Sequence, residues 1–440
     1  MAKIKELKFE LFSQPAYSPD LAHSDFHLFL NLKKWLGGKK FETNEEVIDA
    51  VNEYFEGLDI SDYKNDITAL EHRYEKCMSC VLICRLFWTV MLAFIEYCHY
   101  YYFVEHMYTA DFIDLVDCIC GFLAYGKVFI KIILFWLNQQ NVIKIMSIMA
   151  DDWDDCAKSD IGLRETEYKA KISDCLINFV VMLHAMETCA CCSSTMLKIL
   201  QVTNRTEELT YMHKFDMPFD VNTQLMYRSI LFSEFIAAMT ISCVAGATNI
   251  LVLSLTLHAA GQMDVLRNWF TQLVPLANEN KHKSTVIMLK RIVRKHQKII
   301  DFSETIESLY SLIAFMQFTS NMIMICSLGF VIVTSIGGPD VVEMIVRSLL
   351  FFTITNLEAF IFCFAGEYLN NKSKSVGIAA YNTPWYNLKP SDGRVLLIII
   401  LRSQKQLTLT AGKMVDLSLE SFASIMKASG SYLSVLLAMQ

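Results

Sequence analysis

Hydrophobic and polar positions divide this chain into two halves of different character. Up to Met78 the pattern is amphipathic and charged, and from Ser79 onward long apolar stretches alternate with basic connections. Crossing the hydrocarbon of a bilayer takes about 20 apolar residues as helix. Seven stretches after the seam have that length: 80–104, 112–137, 172–196, 229–257, 308–336, 341–365 and 415–440. The last is less greasy, with Glu420 and Lys427, which suits a helix facing protein or water more than lipid. The pattern predicts an all-α membrane protein, residues 79–440, with seven transmembrane helices. A small, soluble, helix-rich segment, residues 1–78, stands before it. In that segment Thr43 and Glu46 have the spacing of a capping box at a helix start.

Composition excludes a string of soluble domains. Of 440 residues 53% are hydrophobic and 19% charged, and mean hydropathy is +0.33; a soluble globular chain carries nearer about a quarter charged residues. Seven prolines and sixteen glycines are too few for a collagen-like or low-complexity chain. The net charge of −7 decides little, because in a membrane protein the distribution of charge matters more than its sum. Residues 1–40 hold no apolar core with a cleavage site, so the first membrane helix is expected to direct insertion itself.

Lys and Arg near the helix ends set orientation. Arg73, Lys76 and Arg85 lie at the first helix, whereas the connection Glu105 to Asp111 has no cation. The connection 138–171 carries Lys144, Lys158, Arg164, Lys169 and Lys171. The stretch 258–307 is richer still, with Lys290, Arg291, Arg294, Lys295 and Lys298, and 366–414 is basic again. The turn around Ile336-Gly-Gly-Pro339 has none, and 197–228 gives an ambiguous signal. The alternation places the amino end, 138–171, 258–307 and 366–414 in the cytosol and the carboxy terminus outside. This is the reverse of a G-protein-coupled receptor. Asn204-Arg-Thr206, a glycosylation sequon with Asn204 as acceptor, falls in a connection expected outside.

Fourteen cysteines invite a zinc or disulfide reading. Most, such as Cys84, Cys98, Cys243, Cys326 and Cys363, sit singly in apolar runs, where a thiol behaves as a small hydrophobe. Cys189, Cys191 and Cys192 cluster, but no second ligand pair stands at zinc spacing. Packing or a luminal disulfide fits them better, and neither metal nor cofactor is expected.

The leading segment resembles the carboxy-terminal end of a mariner-type transposase. The resemblance rests on Tyr17-Ser-Pro-Asp-Leu-Ala-His-Ser-Asp-Phe-His-Leu-Phe29, Gly38-Lys-Lys-Phe41, Asn44-Glu-Glu-Val47 and Leu70-Glu-His-Arg-Tyr-Glu-Lys-Cys77. It implies that Asp25 matches a metal-ligating carboxylate, although His23 stands where the family usually has Pro. Two-metal phosphoryl transfer needs several converging carboxylates. The family's other two acidic residues have no counterpart here, nor has its helix-turn-helix reader of DNA. Asp25 is therefore expected to be inactive, with no enzyme and no nucleic-acid partner.

Residues 79–440 resemble the insect odorant receptor family. The carrying residues are Thr408-Leu-Thr-Ala-Gly-Lys413, Leu417-Ser-Leu-Glu-Ser-Phe-Ala-Ser424 and Lys427-Ala-Ser-Gly-Ser-Tyr-Leu-Ser-Val-Leu436. Tyr381-Asn-Thr-Pro-Trp-Tyr386, Asp151-Asp-Trp153 and His296-Gln-Lys-Ile-Ile300 support them. Gustatory receptors usually end on a Thr-Tyr…Gln-Phe signature; here Ser431-Tyr432 runs into Leu433, which favours the odorant branch. The resemblance implies the odorant-sensing subunit of a ligand-gated cation channel, assembled as a heterotetramer with the odorant receptor co-receptor in the plasma membrane of olfactory neurons. It also implies that the last helix lines the pore. Val435, Ala438 and Met439 match the constriction there, and four apolar rings of this kind can gate by dewetting; without the family, packing or lipid contact explains the same residues.

A volatile odorant needs an apolar cavity with few polar anchors. Candidate lining residues on the earlier helices are Tyr97, Tyr101, His184, Met186, Phe232, Phe235 and Met239. Each could equally serve ordinary helix packing. His184 is the most suggestive, because a polar group inside a span needs a partner; Glu234 and Glu358 have the same status. The run Lys290 to Lys298 fits a cytosolic helix with a solvated or intersubunit face better than a nucleic-acid site. Alternatives to the channel subunit are a gustatory-type or G-protein-coupled chemoreceptor, a transposase-derived DNA-binding protein and, more distantly, a solute transporter, for which no inverted repeat is evident.

Overall fold

A computed structural model of the protein describes residues 35–36, 43–56, 60–157, 160–201, 215–219, 221, 223–278, 282–334 and 341–438. Asp25, Asn204, Met439 and the turn 336–339 lie outside these residues. The chain divides into two compact units, Met1–Val90 and Met91–Gln440.

In the first unit α1 (Asn44–Glu56) starts at Thr43, whose Oγ1 accepts the Glu46 N–H at 3.3 Å. One of the orphan donors of a helix start is thereby satisfied, as the Thr-x-x-Glu spacing anticipates. Trp35 tilts against Tyr54 with ring centroids 5.3 Å apart. Helix α2 (Ile60–His106) has residues in both units. Leu82, Ile83, Phe87 and Val90 on it are exposed. A contiguous apolar surface of this kind is a liability in water and is at home in hydrocarbon.

The second unit is helical nearly throughout. After α2 come α3 (Phe112–Leu137), α4 (Gln139–Ala157), α5 (Asp160–Gln201), α6 (Gln224–Asn278), α7 (His282–Thr334) and α8 (Val341–Asn382). A 3-10 turn at Trp385–Asn387, then α9 (Pro390–Gln404) and α10 (Leu419–Ala438), complete it. Local chemistry sets several of these ends. Thr223 caps α6, accepting the Met226 N–H at 3.3 Å, and Ser418 caps α10, accepting the Ser421 N–H at 3.1 Å. Pro384, lacking an N–H, follows the end of α8, and Pro390 opens α9.

Five helical stretches among the described residues are long and apolar enough to cross a membrane: Ser79–His106, Phe112–Leu137, Gln224–Leu273, Ser284–Thr334 and Ile345–Asn382. The stretches 172–196 and 415–440 are carried largely by α5 and α10. Asp174 and His184 on α5, and the serines, Glu420 and Lys427 on α10, make these two helices more polar than the five. Some hydroxyls within the apolar helices turn back on their own backbone. Thr248 donates to the Val244 carbonyl and Thr256 to that of Val252, both at 2.7 Å, so these two hydroxyl hydrogens are paired within the helix.

Helices α6 and α7 contain 55 and 53 residues. At 1.5 Å per residue each is about 80 Å long, more than twice the hydrocarbon thickness. Much of 258–307 and of 366–414, legible in the sequence as basic connections, is therefore helix prolonged beyond the greasy span. The reason lies in a change of pattern: past the uniformly apolar part, burial becomes one-sided. Met263, Leu266, Phe270 and Leu273 on α6 meet Leu289, Ile292, Ile299 and Ile306 on α7 in the main hydrophobic core. Phe362, Leu369 and Val376 of α8 and Leu396 and Ile399 of α9 close it.

Among the described residues the expected all-α chain holds one exception, a small hairpin between α9 and α10. Strand β1 (Thr410–Ala411) pairs antiparallel with β2 (Val415–Asp416), Thr410 opposite Asp416. Gly412 and Lys413 both have positive φ, 63° and 59°, and the Met414 N–H returns to the Ala411 carbonyl at 3.1 Å. Two left-handed residues with that hydrogen bond suit the twist of a tight hairpin. Glu307 and Ser311 of α7 staple it. Thr410 donates its N–H to Glu307 Oε2 at 2.8 Å and its hydroxyl to Glu307 Oε1, and Gly412 N–H reaches the Ser311 carbonyl at 2.8 Å. Two strands of two residues are too short to leave a period in the sequence.

Candidate functional site

Four helices, α3, α5, α6 and α8, line a partly open cavity of about 90 Å³. Its apolar wall includes Tyr125, Val128, Ile241, Phe351 and Ile354, and its polar groups are concentrated on α3 and α8. Glu358 on α8 is the hub. Lys127 of α3 donates to its Oε2 at 2.8 Å, Gln317 of α7 donates to the same oxygen, and Asn249 of α6 donates to Oε1 at 3.4 Å. Asn321 accepts from Lys127 and from Gln317, each at 3.0 Å, and donates to the Thr355 carbonyl at 3.1 Å. Four helices are thus joined through one carboxylate that is 4% exposed.

The second lysine is placed differently. Lys131, one turn along α3 from Lys127, is 2% exposed. Its Nζ lies 4.0 Å from Glu358 Oε1 and has no hydrogen-bond partner among the described residues. Thr355 Oγ1, Gln317 Oε1 and Asn249 Oδ1 around the same hub are likewise unpartnered. Buried polar atoms without partners cost free energy, and of these residues Lys131 and Thr355 line the cavity. Arg347 at the rim is paired with Asp117 at 3.3 Å.

His184 of α5 lines this cavity and packs edge-on against Gly246 of α6; a Cβ at position 246 would stand 3.1 Å from His184 Cδ2. Thr188, one turn on, donates to Ser242 Oγ at 2.9 Å and ties α5 to α6 at the cavity wall. The other odorant-pocket candidates do not join it. Tyr97, Met186, Phe232 and Met239 are exposed, Phe235 is half-buried, and Tyr101 stacks on Tyr97 with centroids 6.3 Å apart. Apolar residues cover every side of these helices, so their spacing leaves the inward face unmarked. Lys127, Lys131 and Thr355 were missed for a related reason. The available signal was two lysines four residues apart inside a greasy span, together with the already suspicious Glu358.

A second charged hub centres on α4, which is not among the five apolar spans. Asp152 on α4, from the Asp151-Asp-Trp153 motif, accepts from Lys295 at 2.8 Å, Lys298 at 3.0 Å and His258 Nε2 at 3.2 Å. Burial pushes its carboxyl up, but the His258 hydrogen bond and the Lys295 and Lys298 ammonium groups outweigh that and hold it well below the usual carboxylate range. The basic run on α7 therefore has an inward half tied to α4. Lys290, Arg291 and Arg294 are exposed, with Arg291 over the Trp269 ring at 4.2 Å, and line a hollow of about 460 Å³. Among the described residues no group of His, Cys, Asp and Glu could hold a metal ion. Of the five single cysteines in apolar runs, Cys98, Cys326 and Cys363 are buried, and Cys84 and Cys243 are exposed.

On the last helix Ser429 is buried, and its carbonyl accepts from Cys326 at 3.4 Å. Leu433 fills the notch at Gly329 on α7. The opposite side is exposed: Glu420, Ser424, Lys427, Ser431, Val435 and Ala438 follow one another at spacings of three and four, and so form one continuous stripe.

The sequence profile described as 7tm odorant receptor matches residues 111–430. The chain belongs to the 7tm odorant receptor family. Odorant receptor 10 of Aedes albopictus is 30% identical to it over 183 residues, 42% of this chain and 48% of the relative. Odorant receptor 85b of Drosophila melanogaster is 25% identical over 210 residues, 48% and 52% of the two chains. The chain spans about half the length of these curated relatives in the matched regions. The fold is also similar to that of the olfactory receptor OR5 of Machilis hrabei, solved in complex with eugenol, with a TM-score of 0.68. That match covers 84% of this chain and 91% of the other at 15% identity. Over 80 residues the chain is also 34% identical to the human histone-lysine N-methyltransferase SETMAR, covering 18% of this chain and 12% of that protein. It is consistent with the mariner-type resemblance of the leading segment. This odorant receptor family member is a multi-pass membrane protein with a receptor fold, not an enzyme.

Proposed function

We propose that this chain is the odorant-sensing subunit of a heteromeric, odorant-gated cation channel in the plasma membrane, partnered by the odorant receptor co-receptor. It crosses the bilayer seven times, with its amino end in the cytosol and its carboxy end outside. The mariner-like segment 1–78 is a separate, catalytically silent piece, and Asn204 carries a glycan on the outer side. The observation that carries the receptor reading is the cavity among α3, α5, α6 and α8, walled by apolar side chains and anchored by a few convergent polar atoms. That is the makeup of a small-molecule site.

The pore assignment is supported by the exposed stripe from Glu420 to Ala438. It is too polar at Ser424, Lys427 and Ser431 for contact with lipid, yet it is left uncovered by the rest of the chain. In a tetramer four such stripes face one axis, with Val435, Ala438 and Met439 forming the apolar constriction near the outer end. Prolonged helices α6 and α7 supply the intersubunit base.

Co-expression of the full chain with a co-receptor in cells, followed by recording of odour-evoked current, tests the reading. Current dependent on both chains is expected. Its absence across a broad odour panel, with both chains at the cell surface, would refute it.

A further inference from the structure

We propose that the cavity between α3 and α8 takes a small carboxylate, whose oxygens are received by Lys131 and Thr355. The inference rests on the receptor reading above and narrows it to a ligand class. The residues lining the cavity include three basic side chains, Lys127, Lys131 and Arg347, against the single carboxylate Glu358. Arg347 is balanced by Asp117, and Lys127 by Glu358 at 2.8 Å. Lys131 is left over, 4.0 Å from a carboxylate already receiving Lys127, Gln317 and Asn249.

A leftover ammonium within an apolar span is expensive, and such groups are retained at sites where something binds. Thr355 supplies the complementary feature. The residue is 1% exposed and lines the same space, and its hydroxyl has no hydrogen-bond partner among the described residues. An unpartnered ammonium and an unpartnered hydroxyl on residues lining one small space are two donors awaiting acceptor oxygens. A carboxylate offers two acceptor oxygens and one negative charge, which satisfies both donors and neutralises the excess.

Size narrows the class further. About 90 Å³ is well below the roughly 300 Å³ at which drug-sized pockets begin, so the acid is one of a few carbons. Val128, Ile241 and Ile354 receive its alkyl end.

The test uses the full chain in lipid nanodiscs, with its melting temperature followed at constant ionic strength. The probes are sodium propionate, the neutral isostere propionamide, and 1-propanol. Propionate should raise the melting temperature saturably, with propionamide and 1-propanol far weaker. Lys131→Met should melt higher than the parent without ligand, since it removes the leftover charge. It should bind propionate roughly thirtyfold more weakly or worse, the penalty typical of removing one partner of a buried charge pair. Thr355→Val, which keeps every charge, should weaken propionate by a smaller factor.

A propionate shift that survives in Lys131→Met, or one matched by propionamide, overturns the proposal. A shift from the neutral probes without one from propionate overturns it too, and leaves the receptor reading standing. If none of the three probes moves the parent protein, the proposal falls, and the receptor reading is decided separately by the odour-evoked current.

Discussion

Lys127 and Glu358, 231 positions apart in sequence, meet at 2.8 Å inside the apolar part of the fold. The contact joins α3 to α8 directly, and Gln317 and Asn249 draw α7 and α6 to the same carboxylate. In a low-dielectric interior neither charge can stand without the other. Removing one alone, as in Glu358→Leu or Lys127→Met, should cost about 3–5 kcal/mol, and the double replacement should cost less than the sum of the two. Thermal melting of the four variants in a double-mutant cycle checks this. Additive losses would show that the pair is not coupled.

Asp152 gives a pH dependence of defined sign. Its carboxyl is held below the ordinary range in the fold, so its contribution to stability is complete above its unfolded value. That contribution is lost as pH falls through the folded value. Stability should therefore be insensitive to this group above about pH 4 and decline as acid is added below that. Asp152→Asn should remove about 3 kcal/mol near neutrality, because it leaves Lys295 buried without its counter-charge. It should also flatten the acid limb. Melting temperatures of both forms across the acid range decide it, and parallel acid limbs would contradict the assignment.

Two glycines make opposite predictions. A Cβ on Gly366 would stand 2.3 Å from the Leu417 carbonyl oxygen and 2.6 Å from Leu417 Cβ. The close approach of α8 to the end of the hairpin therefore depends on glycine. At Gly329 the nearest atom is Leu433 Cδ2 at 2.9 Å, the mobile end of a side chain. Gly366→Ala should cost about 3 kcal/mol or more through overpacking against backbone, and Gly329→Ala about 1 kcal/mol or less. Melting temperature and proteolysis within 405–418 would report the difference; equal effects would disprove the argument.

Val435 tests the pore. In the proposed assembly it narrows the conduit by an apolar ring that excludes water, so Val435→Ser should wet the constriction and raise resting current without odorant. Patch recording of the full chain with its co-receptor measures it. An unchanged resting current together with normal surface expression would place Val435 elsewhere.

Topology was read from cations flanking the spans, and tags at either end, probed on intact cells, check it. An antibody should reach a tag after Gln440 and not one before Met1 until the cells are permeabilised. The reverse pattern would restore the G-protein-coupled alternative.

Much of the helical framework was written in local pattern. Length and apolarity mark spans such as 112–137, and Thr43 with Glu46 marks a helix start, because both depend on neighbours a few residues away. His184 and Glu358 were conspicuous as polar groups in greasy surroundings, since burial there demands partners wherever the partners come from. What the sequence could not state is which side of each helix turns inward. Helices apolar all round carry no amphipathic mark, so Phe232 and Met239 looked as eligible as Ile241, and the grouping of Lys131 with Thr355 was invisible. The hairpin at 410–416, the prolongation of α6 and α7 and the meeting of Lys127 with Glu358 were likewise settled only by packing. The hairpin and the Lys127–Glu358 pair depend on contacts 103 and 231 positions apart, the prolonged helices on packing against one another, and side-chain spacing along one helix holds no record of either.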